Sequence, residues 1–411
     1  MRPKTHWRGL KPANHPRPLN LGMHNLYDRI SEVALHNRDV WNQIHLDSRY
    51  DAQRLQVSRN PTTLLNLPPI SRARGSQFQA RIQVTPGTGF LGGTIVRVFK
   101  AADTPVDDLA FSPDGRAIAA YVKYQGVFLW NLEAAPLSRV PVDTNVDAES
   151  YCKGGLSFSS DGRSLAWLVE GARRIYDRDT RKTTSEKSFS TNKHIVQTPD
   201  GSRGISNHGL PDYRLIGWRL VDGMWVQTWA FSTADLQVES LTFSADGRLF
   251  AMLTRHALGE GWQNNPARVE VRDAATRMLR GTGEYPYKVR AQLLLFSPDG
   301  SQLVGLNAMN LLVWPIPEVG DLGAPRLVRN TTRKQFTAMA YHPSGRYLYV
   351  TSNGENTKDA TVHVFDTTTW IRTEQFTWKL GNLKAVAVSP DGTLAAAGGE
   401  RGDIVIWDVD L

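Results

Sequence analysis

From residue 106 onward the chain is written in short apolar runs separated by clusters of turn-forming residues, and the alternation is periodic. Runs such as "VDDLAF", "AIAAYV", "SLAWLV" and "QLVGLN" are strand-length and rich in β-branched and aromatic residues. Seven of them end in nearly the same turn: "FSPDG" at 111–115, "FSSDG" at 158–162, "QTPDG" at 197–201, "FSADG" at 243–247, "FSPDG" at 296–300, "YHPSG" at 341–345 and "VSPDG" at 388–392. Measured at the fourth residue (Asp114, Asp161, Asp200, Asp246, Asp299, Ser344, Asp391), successive copies lie 47, 39, 46, 53, 45 and 47 residues apart, the signature of a repeat architecture. Proline fixes φ, aspartate offers a side-chain acceptor to the backbone, and glycine accepts a positive φ, so each turn predicts a hairpin. A third strand follows, closed by an aromatic at Trp130, Tyr176, Trp218, Trp314, Phe365 and Trp407; the fourth repeat ends "VEVRD", with Val271 taking the aromatic's place. Fourth strands follow, such as "RLVRN" at 326–330 and "IRTEQFTW" at 371–378. The runs are apolar almost throughout rather than at alternate positions, which predicts burial on both faces. Four antiparallel strands repeated seven times predict an all-β chain, a seven-bladed β-propeller.

These residues resemble the WD-repeat family over roughly residues 94–411. Trp407-Asp408 matches the family's closing dipeptide, and Tyr176-Asp177 and Phe365-Asp366 are conservative versions of it. No repeat has the family's Gly-His pair before its first strand. The aspartate expected before the closing strand is also missing, and blade seven has Glu400-Arg401-Gly402 there. The "SPDG" spelling is also similar to bacterial propellers of the TolB type. The resemblance implies binding rather than catalysis, and closure of the last blade by an N-terminal strand.

Leu411 comes three residues after Asp408, which leaves blade seven short of a fourth strand. "GGTIVRVFKAAD" at 92–103 is strand-like and has no blade of its own, so Thr94 to Lys100 is expected to complete that blade and cover two sheet edges. The expected domains are therefore 1–91, a basic extension that is partly helical or disordered, and 92–411, the propeller. Within the extension, Met23, Leu26, Ile30, Val33, Val40, Trp41 and Ile44 recur mostly at three- and four-residue steps, which predicts one helix or two short ones ending near Leu46.

Charge sharpens this division. Residues 1–93 hold 13 Lys plus Arg against 5 Asp plus Glu, so the whole net charge of +8 belongs to them. A nucleic-acid or anionic-surface contact through this tail is a lesser alternative to a solvated basic face. His6, His15, His24, His36 and His45 also fall there, at steps of nine to twelve that match no metal-ligand motif. The one cysteine, Cys152, excludes an internal disulfide framework. With no G-x-S-x-G, Walker loop, H-E-x-x-H or G-x-G-x-x-G, no catalytic residue, cofactor or metal is expected. No run of about 18 apolar residues occurs and the N-terminus lacks an apolar core after its basic residues, so a soluble, cytoplasmic protein is expected.

The expected function is that of a non-enzymatic scaffold for protein partners. The alternative is an enzyme or small-ligand binder using the central channel, where the starts of the first strands supply only Asp107 and Asp108 as acids. Insertions point to the partner-binding residues. Blade four inserts "RHALGEGWQNNPA" and blade six "NGENTKDA" between second and third strands, a loop-borne Trp beside Arg and amides being hot-spot chemistry. The candidates are Arg255, His256, Glu260, Trp262, Gln263, Asn264 and Asn265 of blade four, Asn353, Glu355 and Lys358 of blade six, and His208, Asp212 and Tyr213 of blade three.

Overall fold

The computed structural model describes residues 44–46, 55–57, 95–134, 137–144, 155–169, 172–187, 194–208, 213–221, 224–233, 236–256, 267–286, 293–318, 320–332, 334–354, 360–378 and 380–409. Two compact units divide the chain, Met1–Arg74 and Gly75–Leu411. In the first, Ile44–Leu46 pairs antiparallel with Leu55–Val57. Ile44–Leu46 ends the stretch whose spacing predicts helix, and it is strand instead. Ile-His-Leu and Leu-Gln-Val each alternate apolar, polar, apolar, a period of two that the steps upstream obscure. The rest of that helix and the boundary after residue 91 lie outside the described residues.

In the second unit the described strands form seven four-stranded antiparallel sheets, each running in chain order from its first strand to its fourth, except that blade seven takes its fourth from the N-terminal side. Blades one to seven begin with Val106–Phe111, Ser157–Phe158, His194–Gln197, Leu236–Phe243, Leu293–Phe296, Gln335–Tyr341 and Leu383–Val388. The first strand of blade seven lies against that of blade one, which closes the ring. Its fourth strand is Ile95–Lys100, paired antiparallel with Asp403–Asp408.

The core is divided into wedges between blades. Ala395, Ala397, Val405 and Trp407 of blade seven pack on Tyr349, Val362 and Val364 of blade six, while Ala396, Ile404 and Ile406 of the same strands pack on blade one. Alternate residues of one apolar run thus serve opposite seams, which is why these strands show no polar face.

Six of the seven hairpin turns are built from a hydroxyl as well as from the Asp-Gly pair. Ser112, Ser159, Thr198, Ser244, Ser297 and Ser389 each donate to the turn aspartate at 2.5–2.6 Å. That aspartate accepts the backbone N–H two residues on at 2.9–3.0 Å. The hydroxyl oxygen accepts the N–H five residues on, which ties the turn to the second strand. Blade six replaces the pair with His342 and Ser344. Nδ1 accepts the Ser344 N–H, so Nε2 carries the proton and donates to Gly392 O of the next blade's turn at 3.1 Å.

Two closing positions differ from expectation. In blade four Arg272, not Val271, stands in register with the other closing aromatics, opposite Phe250 as Trp407 is opposite Ala395. Its guanidinium lies 4.9 Å from the centre of the Phe231 ring of blade three and is paired with buried Glu270, so a cation takes the seam an aromatic fills elsewhere. Val271 faces blade five. In blade three, Trp218 is half-buried and donates its indole N–H to Ser206 at 2.8 Å. Among the described residues, the indole N–H groups of Trp314 and Trp407 have no hydrogen-bond partner.

Candidate functional site

Strands that alternate direction put first-to-second and third-to-fourth turns on one face of a ring and second-to-third and fourth-to-first connections on the other. The Pro-Asp-Gly turns occupy the first face. The candidate loops of blades three, four and six are all second-to-third connections and so belong to the second.

Their strand ends are described; most of their loop residues are not. Glu260, Trp262, Gln263, Asn264 and Asn265 fall in 257–266, Glu355 and Lys358 in 355–359, and Asp212 in 209–212, all outside the described residues, as is Cys152. His208 and Arg214 bracket the blade-three loop as strand ends, and half-buried Tyr213 accepts the Thr233 N–H on its carbonyl. His256 is exposed at the end of Leu249–His256.

Arg255 is 0% exposed. A register shift at Val238/Ser240 bulges Glu239 out of the first strand, and its carboxylate meets the Arg255 guanidinium at 3.0 Å. The second strand runs on past the point where the repeat length predicts its end, carrying Arg255 into the blade. Asn353 also serves the fold, since its amide donates to Leu383 O at 2.7 Å and accepts Leu383 N–H at 2.8 Å, stapling blade six to blade seven.

Toward the axis, Asp107 lies 3.9 Å from Lys384 of blade seven. Asp108 accepts the backbone N–H of Leu109 at 2.9 Å and of Leu156 in blade two at 3.2 Å. Ser240 does the same for Leu294 of blade five at 3.1 Å. Asp108 is therefore an inter-blade staple. Burial pushes its carboxyl up to about 6, against the two N–H bonds that pull it down and with the Asp107 charge that adds to the rise. Between the ordinary aspartate value, about 3.9, and 6 the folded protein holds a proton that the unfolded chain has released, so this group's contribution falls as pH rises across that window. The melting temperature of the native chain is expected to drop between pH 4 and pH 7 relative to that of Asp108→Asn, whose amide oxygen still accepts an N–H. Parallel melting curves for the two proteins across that range would contradict the assignment.

On the rim, an open groove of about 700 Å³ separates the fourth strand of blade five, Arg326–Arg329, from the third and fourth strands of blade six, Ala360–Asp366 and Ile371–Trp378. Sequence reasoning passed over it, because its arginines sit in two different repeats. Its floor includes Phe336, His363, Phe365 and Trp370. Trp370 adopts φ +57°, a left-handed conformation shared by Arg181 and Arg277 at the same place in their turns, where Asp366 like Asp177 and Asp273 accepts the N–H three residues on. The conformation belongs to the turn; only blade six uses it to bury an indole.

Among the described residues, no three His, Cys, Asp or Glu side chains come together as metal ligands, and no helix is long and apolar enough to cross a membrane.

The model of the WD domain, G-beta repeat, matches residues 374–408, the end of blade six through the third strand of blade seven. The chain is a seven-bladed β-propeller whose last blade matches the WD-repeat model. Among solved structures it is similar to the Cps50 (Swd1) beta-propeller domain of Myceliophteria thermophila, at 14% identity and a TM-score of 0.60, covering 77% of this chain and 100% of that one. No curated protein matches. At that identity the likeness of the two propellers is one of fold alone.

Proposed function

We propose that this protein is a non-enzymatic scaffold that recognises a protein partner through the second-to-third-strand loops of blades three, four and six. The WD repeat at 374–408 and the fold shared with the Cps50 (Swd1) propeller support the coarser reading, an interaction scaffold. The finer one rests on loop length. The second-to-third connection spans 257–266 in blade four and 354–359 in blade six, against 123–125, 308–309 and 400–402 in blades one, five and seven. Insertions confined to one face of a repeat protein commonly mark its binding surface. The longest carries Trp262 with Gln263, Asn264 and Asn265, beside His256. A large amphipathic ring flanked by amides is the composition of an interface anchor.

Capture from cell lysate with the full chain as bait tests the scaffold. With a captured partner in hand, Trp262→Ala is expected to weaken binding by about 2 kcal/mol or more while leaving the melting temperature unchanged. A large loss of stability with unaltered affinity would make Trp262 packing and remove the loop from the binding face.

A further inference from the structure

We propose that the rim groove between blades five and six binds an extended acidic peptide segment bearing aliphatic side chains between its carboxylates. This rests on the reading of the chain as a protein-binding scaffold but uses a different surface from the loops.

Among the described residues three arginines line the groove, Arg326, Arg329 and Arg372, and no Asp or Glu does. All three are exposed. Two of them are held in place. The Arg326 guanidinium donates to Thr369 O at 2.5 Å across the groove. Arg372 donates to His363 Nδ1 at 3.4 Å; since a guanidinium can only donate, Nδ1 must be unprotonated, and Nε2–H then donates to Ser352 Oγ at 2.7 Å. Neutral His363 thus acts as a positioning residue that presents Arg372 without adding to or cancelling its charge. Each guanidinium keeps further N–H donors for a ligand, in the planar fork that suits carboxylates.

Shape and polarity narrow the occupant. One wall is six consecutive residues, Arg326 to Thr331, so the groove is long and suits an extended chain. The apolar side chain that reaches solvent in the groove is aliphatic, Ile371 being 64% exposed. The rings below are closed off: Phe336 is 1%, Phe365 5% and Trp370 6% exposed. A single-stranded nucleic acid needs open aromatic faces on which to stack its bases, and this groove has guanidinium groups and methyls. The chain's own segment 1–93, at net +8, is repelled by the same charges.

The test uses the purified full chain and a short fluorescein-labelled peptide alternating glutamate with valine. Three comparisons accompany it: the same peptide with glutamine for glutamate, a labelled oligodeoxythymidine, and the variants Arg326→Gln/Arg372→Gln and Ile371→Asp. All three substituted side chains are exposed, so the melting temperature is expected to hold. The glutamate peptide should bind at low salt and weaken as salt is added, and the glutamine peptide should not bind. Both variants should lose about tenfold or more in affinity. Binding that neither variant changes would place the peptide on the basic N-terminal segment and overturn the proposal. Equally tight oligodeoxythymidine binding, lost with the same arginines, would overturn it in favour of a general polyanion site. These readouts are independent of the scaffold test, because the loops of blades three, four and six can be replaced without touching the groove, and lysate capture can fail or succeed whatever the peptide does.

Discussion

Replacing Trp407 with alanine is expected to destabilise the propeller by about 3 to 5 kcal/mol, the range for emptying a large buried aromatic site. Trp407 is 0% exposed. Its ring centre lies 4.9 Å from that of Trp378, 5.8 Å from Phe376 and 6.2 Å from Tyr349, so one side chain of blade seven fills the seam with blade six. Among the described residues its indole N–H has no hydrogen-bond partner, and the substitution therefore removes packing without orphaning a polar group. Denaturant unfolding should show a lower midpoint at unchanged slope. Trp407→Phe should lose less, because part of the cavity stays filled. A cost below about 0.5 kcal/mol, typical of surface positions, would show that the seam does not depend on this residue.

The second large effect concerns closure. Deleting residues 1–101 is expected to lower the melting temperature far more than any single substitution, and deleting 1–80 is expected to leave the propeller's transition in place. Only the longer deletion removes Ile95–Lys100, exposing the edge of Asp403–Asp408 along its length. It also removes Phe99, 1% exposed with its ring centre 5.2 Å from that of Trp130, whose loss alone is worth about 3 to 5 kcal/mol. Ala101, just past the strand, donates its N–H to Gly402 O at 2.7 Å. There the chain passes so close that a Cβ on Gly402, whose φ is +79°, would lie 2.1 Å from Ala102 O. Equal melting temperatures for the two truncations would mean that blade seven closes without this strand.

Turn chemistry explains why so much of the ring was legible. Pro-Asp-Gly needs only its own five or six residues to form, so each copy announces a hairpin wherever the blade stands. Strand runs apolar on both sides were readable for a similar reason, since any partner face in a ring of blades is apolar. The hydroxyl before each Pro-Asp-Gly is equally visible in the sequence, but its bond to the aspartate, present in six turns, is a matter of side-chain geometry.

Register and pairing across distance were not legible. Arg255 and Asn353 read as loop residues at the ends of insertions, yet one is buried on a bulged Glu239 and the other staples Leu383. The second strands of blades four and six run on to His256 and Asn353, past the length of their counterparts in blades one and seven, so counting along the repeat places these residues in loops. Arg272 was missed for a related reason: a cation over the Phe231 ring does in blade four what an aromatic does elsewhere, and no hydrophobic pattern marks it.

The sequence by itself determined the number of blades, the turn that starts each second strand, the aromatic closures of six blades and the candidate closing strand, because each is encoded within one repeat by propensity and periodicity. Tertiary structure alone decided which charges are buried and which face a groove. Arg326 and Arg329 lie more than forty residues from Arg372 and share no motif with it; they meet because two blades pack side by side, and a charge has functional meaning only once its neighbours and its access to water are set by that packing.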